Sequence, residues 1–239
     1  MTTPRLDDLP GFRRRFRIAP EAGAVSAAVE DDFHCMTVTL RHDGARIGGV
    51  EARTIRAPWT TCPGAEQVLE ETFAGTPLTE AARRGLKQAN CTHLYDLAVL
   101  AAAHAGDAQE TRYEVLVADP VDGLGVAEIR RDGAPLLRWT LAGMELAEPA
   151  ELAGRNLMQL RDWIDALDPA TREAAKILQW ACLIAHGRRI PLEHQSDATR
   201  MPPNCYTFQP AMARQALRVG EIIDFSRGER EPLAQLGQS

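Results

Sequence analysis

Three short stretches hold the side chains whose types and spacing could do chemistry. In Asp31-Asp32-Phe33-His34, two carboxylates stand beside an imidazole at the entrance of an extended segment. A carboxylate bonded to one ring nitrogen fixes the tautomer and leaves the other a better base, so Asp31 and His34 read as an acid/base pair. In Arg53-Thr-Ile-Arg56-Ala-Pro-Trp59-Thr-Thr-Cys62-Pro-Gly, Arg53 and Arg56 could clamp a carboxylate or phenolate, with Trp59 as a stacking face. Cys62 precedes a helix, where unpaired N–H groups favour a thiolate. In Asn90-Cys91-Thr92-His93-Leu94-Tyr95-Asp96, polar groups crowd the first turn of an otherwise apolar helix. His93 and Asp96 share one face, and Cys91 and Tyr95 the next.

Each cluster also has a plainer reading. The first is a polar turn before a strand histidine. The second is a proline-framed turn with Trp59 plugging the core and Cys62 buried, and the third is a polar helix start. A convergence of Cys62, Cys91 and His93 with Asp96 or His34 would make a zinc or iron site of mixed softness. Gly-x-Gly-x-x-Gly, the phosphate loop, Gly-x-Ser-x-Gly and His-Glu-x-x-His are all missing, which removes most support for nucleotide-dependent and serine-hydrolase chemistry.

The elements that must position these residues alternate between strands and helices. Strands are expected at 25–29, 33–40 and 47–55, with Asp43-Gly44 as a hairpin turn. Ala57-Pro58 ends the third, and helices follow at 64–73, 78–88 and 91–104, the last capped by Asn90. A second strand block at 111–118, 125–131 and 136–141 contains another Asp-Gly, Asp132-Gly133. Helices at 152–167 and 170–186 come next, with Pro169 at a first-turn position. The two blocks are alike in layout, as an old duplication or two independent Asp-Gly meanders would be. The fold class expected is α+β: two antiparallel meanders with helices packed on one side, in a single domain over 1–227. A polar, loose tail is expected over 228–239.

Composition narrows the classes. The 239 residues are 45% hydrophobic and 25% charged, and Lys+Arg 27 against Asp+Glu 33 leaves −6. That sign disfavours general binding to nucleic acid or an anionic membrane. The longest nearly uncharged stretch, 97–106, is half the length of a membrane span. The N-terminus lacks an apolar signal core, so a cytoplasmic location is expected. Five widely spaced cysteines without Cys-x-x-Cys argue against a disulfide framework or zinc ribbon.

The ordered set Asp31-x-Phe-His34, Arg56-x-Pro-x-x-x-Cys62-Pro-Gly, Cys91-Thr-His-Leu-x-Asp96-Leu and Cys205-Tyr-Thr-Phe resembles the proteobacterial family known as domain of unknown function 2889, over residues 14–215. Such proteins resemble parts of aromatic-compound catabolism, including lignin-dimer breakdown, where cofactor-free lyases release formaldehyde. A fainter likeness in layout is to iron–sulfur cluster scaffold proteins, although their late His-Cys pair is absent. The resemblance and the residues together imply a lyase on a small aromatic compound. His34 with Asp31 would be the base, His93 or Tyr95 the proton donor, and Arg53, Arg56 and Trp59 would hold the substrate. No cofactor is expected on this reading, and a homo-oligomer is compatible with it. The alternatives are a non-catalytic scaffold holding zinc or iron through Cys62, Cys91, His93 and Asp96, or a metal-assisted hydrolase on the same residues.

Overall fold

The computed structural model describes residues 5–219 and 221–236. Eight strands form one antiparallel sheet in the order β4-β3-β2-β1-β5-β6-β7-β8. They are β1 (Gly11–Glu21), β2 (Ala24–Glu30), β3 (Cys35–His42), β4 (Ile47–Arg56), β5 (Thr111–Ala118), β6 (Leu124–Arg131), β7 (Ala134–Ala142) and β8 (Glu145–Glu148). The helices are α1 (Ala65–Phe73), α2 (Thr92–Ala103), α3 (Arg161–Ala166), α4 (Pro169–Gly187) and α5 (Pro210–Ala213). This is the expected α+β class.

By its internal contacts the chain divides into two compact units. Unit 1 comprises 1–15, 112–190 and 224–239; unit 2 comprises 16–111 and 191–223. The boundary falls inside β1, between Arg15 and Phe16, so no linker marks it in the sequence. The described part of the C-terminal segment makes contacts within unit 1. Pro232 and Leu233 are buried, and Glu231 pairs with Arg15 at 2.9 Å. Two apolar side chains and one ion pair dock residues 228–236; residues 237–239 lie outside the described residues.

In unit 2, Met36, Val38 and Leu40 of β3 are fully buried, and α1 and α2 pack against β2, β3 and β4. The period-2 pattern of β3 thus emerges as expected, but the strand starts at Cys35, and Phe33 and His34 belong to the preceding turn. Complete burial of each such side chain contributes about 1.5–3 kcal/mol. The helix expected at 78–88 is two short 3-10 turns, Leu78–Arg83 and Lys87–Ala89. Gly85 and Leu86 between them take positive φ, which a continuous helix excludes. Cys91, not Asn90, caps α2; Asn90 is buried and donates to Thr72 Oγ1 and the Leu86 carbonyl, both at 3.0 Å.

In unit 1, α4 packs on β6 and β7. Asp168 caps it by accepting from the amides of Ala170 and Thr171, with Pro169 at its first position. The helix expected at 152–167 is broken into 3-10 turns at Ala150–Leu152 and Leu157–Gln159 before α3. Strand β8 and the full extent of β1 had no clear signal. In β1 the buried row is Phe12, Arg14, Phe16 and Ile18, and the arginine in it hides the alternation. Gly11 opens β1 because a Cβ there would stand 2.4 Å from the Val117 carbonyl oxygen.

Candidate functional site

The site lies within unit 2, at the turn joining β2 to β3. The last residue of β2, Glu30, pairs with the first of β3, Cys35, so residues 31–34 form the loop of a tight hairpin. One oxygen of Asp31 closes it. Oδ1 accepts from the amides of Phe33 and His34, both at 2.8 Å, and from His34 Nδ1 at 3.0 Å. The Asp31 amide donates to the His34 carbonyl at 2.9 Å. Asp at such a position favours this turn because its short side chain reaches the amides two and three residues on.

Arg56 is the buttress. It ends β4 opposite Cys35, and its guanidinium donates to the Asp32 carbonyl at 2.5 Å, the Asp31 carbonyl at 2.8 Å and Glu30 Oε1 at 3.0 Å. Buried and committed to the turn, it positions Asp31 and His34; no substrate clamp is needed to explain it. Arg53 is exposed on the same strand.

Over the turn stands the first helical turn of α2. The rings of His93 and His34 stack with centroids 3.9 Å apart and planes 26° apart. Asp31, His34 and His93 each offer a donor atom within 4.8 Å of the others, and among the described residues this is the converging group of metal-ligating type.

The expected set Cys62, Cys91, His93 and Asp96 is not the one brought together. Asp96 receives Lys87 Nζ at 2.6 and 2.7 Å, and Cys62 Sγ lies 3.4 Å from Thr207 Oγ1. Cys62 is buried as well. Burial pushes its thiol up, outweighing the hydrogen bond with Thr207, those from the Trp59 and Cys62 backbone and the charge of Arg218. Burial raises Cys91 to about 12 and Cys205 above its ordinary value as well, each thiol feeling the charge another would carry. Cys62 opens the 3-10 turn Cys62–Gly64, which leads directly into α1, and burial outweighs what that helix start offers the thiol. Tyr95 faces the core: its ring lies 5.0 Å from that of Phe73, and burial raises its phenol.

Trp59 is buried, with Phe208 edge-on at 5.9 Å and the Arg218 guanidinium 5.3 Å over its ring. Arg218 also lies 5.9 Å over Phe33, the residue before His34. The sequence reading had no place for Arg218. Its Nε is buried without a hydrogen-bond partner, it makes no salt bridge among the described residues, and burial lowers its pKa. A bridge from Arg218 to Trp59 and the Ile223 amide on the Asp32 carbonyl hold this segment beside the turn. Nothing in the local sequence distinguishes Arg218 from the other arginines; its 159-residue separation from Trp59 is closed by the fold alone. No protein-family model matches the chain, and no curated protein matches it.

Proposed function

We propose that this chain is a lyase working by acid/base chemistry on a small aromatic compound that carries a primary alcohol, with formaldehyde as the released product. One observation carries the reading: a buried carboxylate, Asp31, receives His34 Nδ1 while a second imidazole stacks on the ring. With the proton on Nδ1, Nε2 of His34 is the basic nitrogen. It takes the hydroxyl proton of the substrate. The C–O bond becomes the carbonyl of formaldehyde, and the adjacent C–C bond breaks. Its electron pair stays on the carbon next to the aromatic ring, and a proton returned from His34 or His93 neutralises it. No external oxidant or reductant enters this balance. Arg218 is the group suited to an anionic substituent of the substrate, since a half-buried guanidinium without an acid partner gains most from one. The aromatic, alcohol-bearing substrate class rests on the family resemblance of the sequence.

The test is formaldehyde release from aromatic dimers bearing a primary alcohol. His34→Ala is expected to lose roughly two to four powers of ten in rate, the usual range for a general base, with substrate binding retained. Equal rates in the variant and the unaltered protein would remove His34 as the base. Absence of formaldehyde from every such compound would remove the substrate class.

The convergence of Asp31, His34 and His93 favours one second reading, a site for zinc or iron serving hydrolysis or storage. Metal analysis separates the two. Stoichiometric metal lost on His93→Ala supports the second reading, whereas unchanged, substoichiometric metal supports the first.

A further inference from the structure

Unit 1 contains a cleft of about 360 Å³ whose lining includes Arg13, Arg14, Arg15, Arg130, Arg227 and Arg230. Guanidinium groups collected around one concavity repel unless anions intervene. Four carboxylates also line it, and each is held by Arg15 or Arg130. Arg15 pairs with Glu114 at 2.7 Å and Glu231 at 2.9 Å; Arg130 pairs with Glu128 at 2.7 Å and Asp7 at 2.9 Å. Arg13 instead gives Nη2 to two neutral carbonyls, those of Asp7 at 2.8 Å and Leu9 at 3.3 Å, and its buried Nε has no hydrogen-bond partner. Arg227 and Arg230 are exposed and make no salt bridge among the described residues, Arg227 acting on Asp224 at longer range. Gly228, in the left-handed region with φ 70°, lays the 227–232 segment against Arg13, whose Nη2 would be 3.7 Å from a Cβ there.

We propose that this cleft binds a small phosphate-bearing anion, held between Arg13, Arg227 and Arg230. The argument is one of charge and shape. Three guanidinium groups that make no salt bridge among the described residues face a concave volume at the lower end of the range for ligand pockets, roughly 300–1,000 Å³. Arg227 and Arg230 are exposed and present planar donor forks that match two oxygens of a phosphoryl group, while Arg13, its Nη2 held by the Asp7 and Leu9 carbonyls, adds positive charge to the wall. Arg15 and Arg130 offset half the charge of the four carboxylates, and the six arginines of the lining outnumber its four acids, which leaves the cleft positive. The cleft lies in the unit that does not hold the Asp31–His34–His93 site, and its ligand is independent of the reaction proposed there.

Calorimetric titration with inorganic phosphate, pyrophosphate and phenyl phosphate tests this at low and high salt. The expected result is saturable binding of one anion per chain that weakens as salt rises. Arg227→Gln/Arg230→Gln is expected to weaken it by about tenfold or more, the loss of one or two charge-assisted hydrogen bonds. Both residues are exposed, so the melting temperature of that variant should match the unaltered protein, and Arg227→Lys/Arg230→Lys should fall between the two. His34→Ala should bind as the unaltered protein does. Tighter binding of phenyl phosphate than of phosphate points to a phosphorylated organic ligand, and the reverse to the free ion. Equal binding by the Gln variant, or a response that never saturates, overturns the proposal.

Discussion

Strand β3 has the same turn at each end, and the two have opposite fates. At its start, Asp31 Oδ1 accepts from the amides two and three residues on; at its end, Asp43 Oδ1 accepts from the amides of Ala45 at 2.8 Å and Arg46 at 2.7 Å. Both turns close with a backbone bond from the aspartate amide to the carbonyl three residues on. Asp31 is fully buried, whereas Asp43 is exposed. The side chain at the fourth position differs too. His34 folds back onto the aspartate, while the Arg46 guanidinium leaves for the Gly75 carbonyl at 2.9 Å. One local code therefore builds a solvated hairpin and a candidate reaction centre; what separates them is the cover supplied by α2, Arg56, Arg218 and Ile223.

The largest expected difference between the turns is in activity. His34→Ala should lose the two to four powers of ten already stated, while Arg46→Ala at the equivalent position should leave formaldehyde release unchanged. A comparable loss in both would mean that the turn matters for folding and not for chemistry.

Stability should separate the turns next. Asp31→Ala leaves three donors buried without an acceptor, at a cost of about 3–5 kcal/mol in urea unfolding. Asp43→Ala should cost much less, because water reaches its amides. Equal losses would show that burial is not what distinguishes them.

A smaller effect comes from Cys35, which follows the buried turn and has no counterpart after the exposed one. Burial, with Glu30 adding to it, raises its thiol from 9.0 to about 12 against the opposing pull of Arg56. The folded state therefore favours the protonated thiol. Its contribution is complete below about pH 9 and is lost as pH rises toward 12, at about 1 kcal/mol per pH unit. Cys35→Ala should flatten that alkaline limb in unfolding measured across pH.

The smallest effect belongs to Asp43. Hydrogen bonds from the Arg46 and Ala45 amides hold its carboxyl below the usual 3.8. A depressed carboxyl contributes above its unfolded value, and the contribution fades as pH falls through the folded one. Asp43→Asn should reduce the loss of stability below about pH 4 without altering activity, read from melting temperatures across the acid range.

Much of the fold was legible because it is local. The alternation of Met36, Val38 and Leu40, the Asp43-Gly44 hairpin and the Asp168-Pro169 start of α4 follow from backbone geometry that neighbours in sequence dictate. Strand β1 was hidden because Arg14 occupies an inward position, which periodicity scores as a break. The division into two units was hidden for a related reason. It falls within a strand, where hydrogen bonding continues and composition does not change.

For the candidate site, the sequence by itself determined the Asp31–His34 pair, since four consecutive residues with an aspartate at the first close their own turn. It also placed His93 in the first turn of a helix. Only the tertiary structure decided that His93 stacks on His34, that Arg56 buttresses the turn, and that burial pushes the Cys62 thiol up. It alone brought Arg218 beside Phe33. The physical reason is range. A turn is fixed by hydrogen bonds across three residues, whereas the role of a charged or titratable group depends on burial and on partners that lie tens to more than a hundred residues away, where spacing along the chain holds no information about distance.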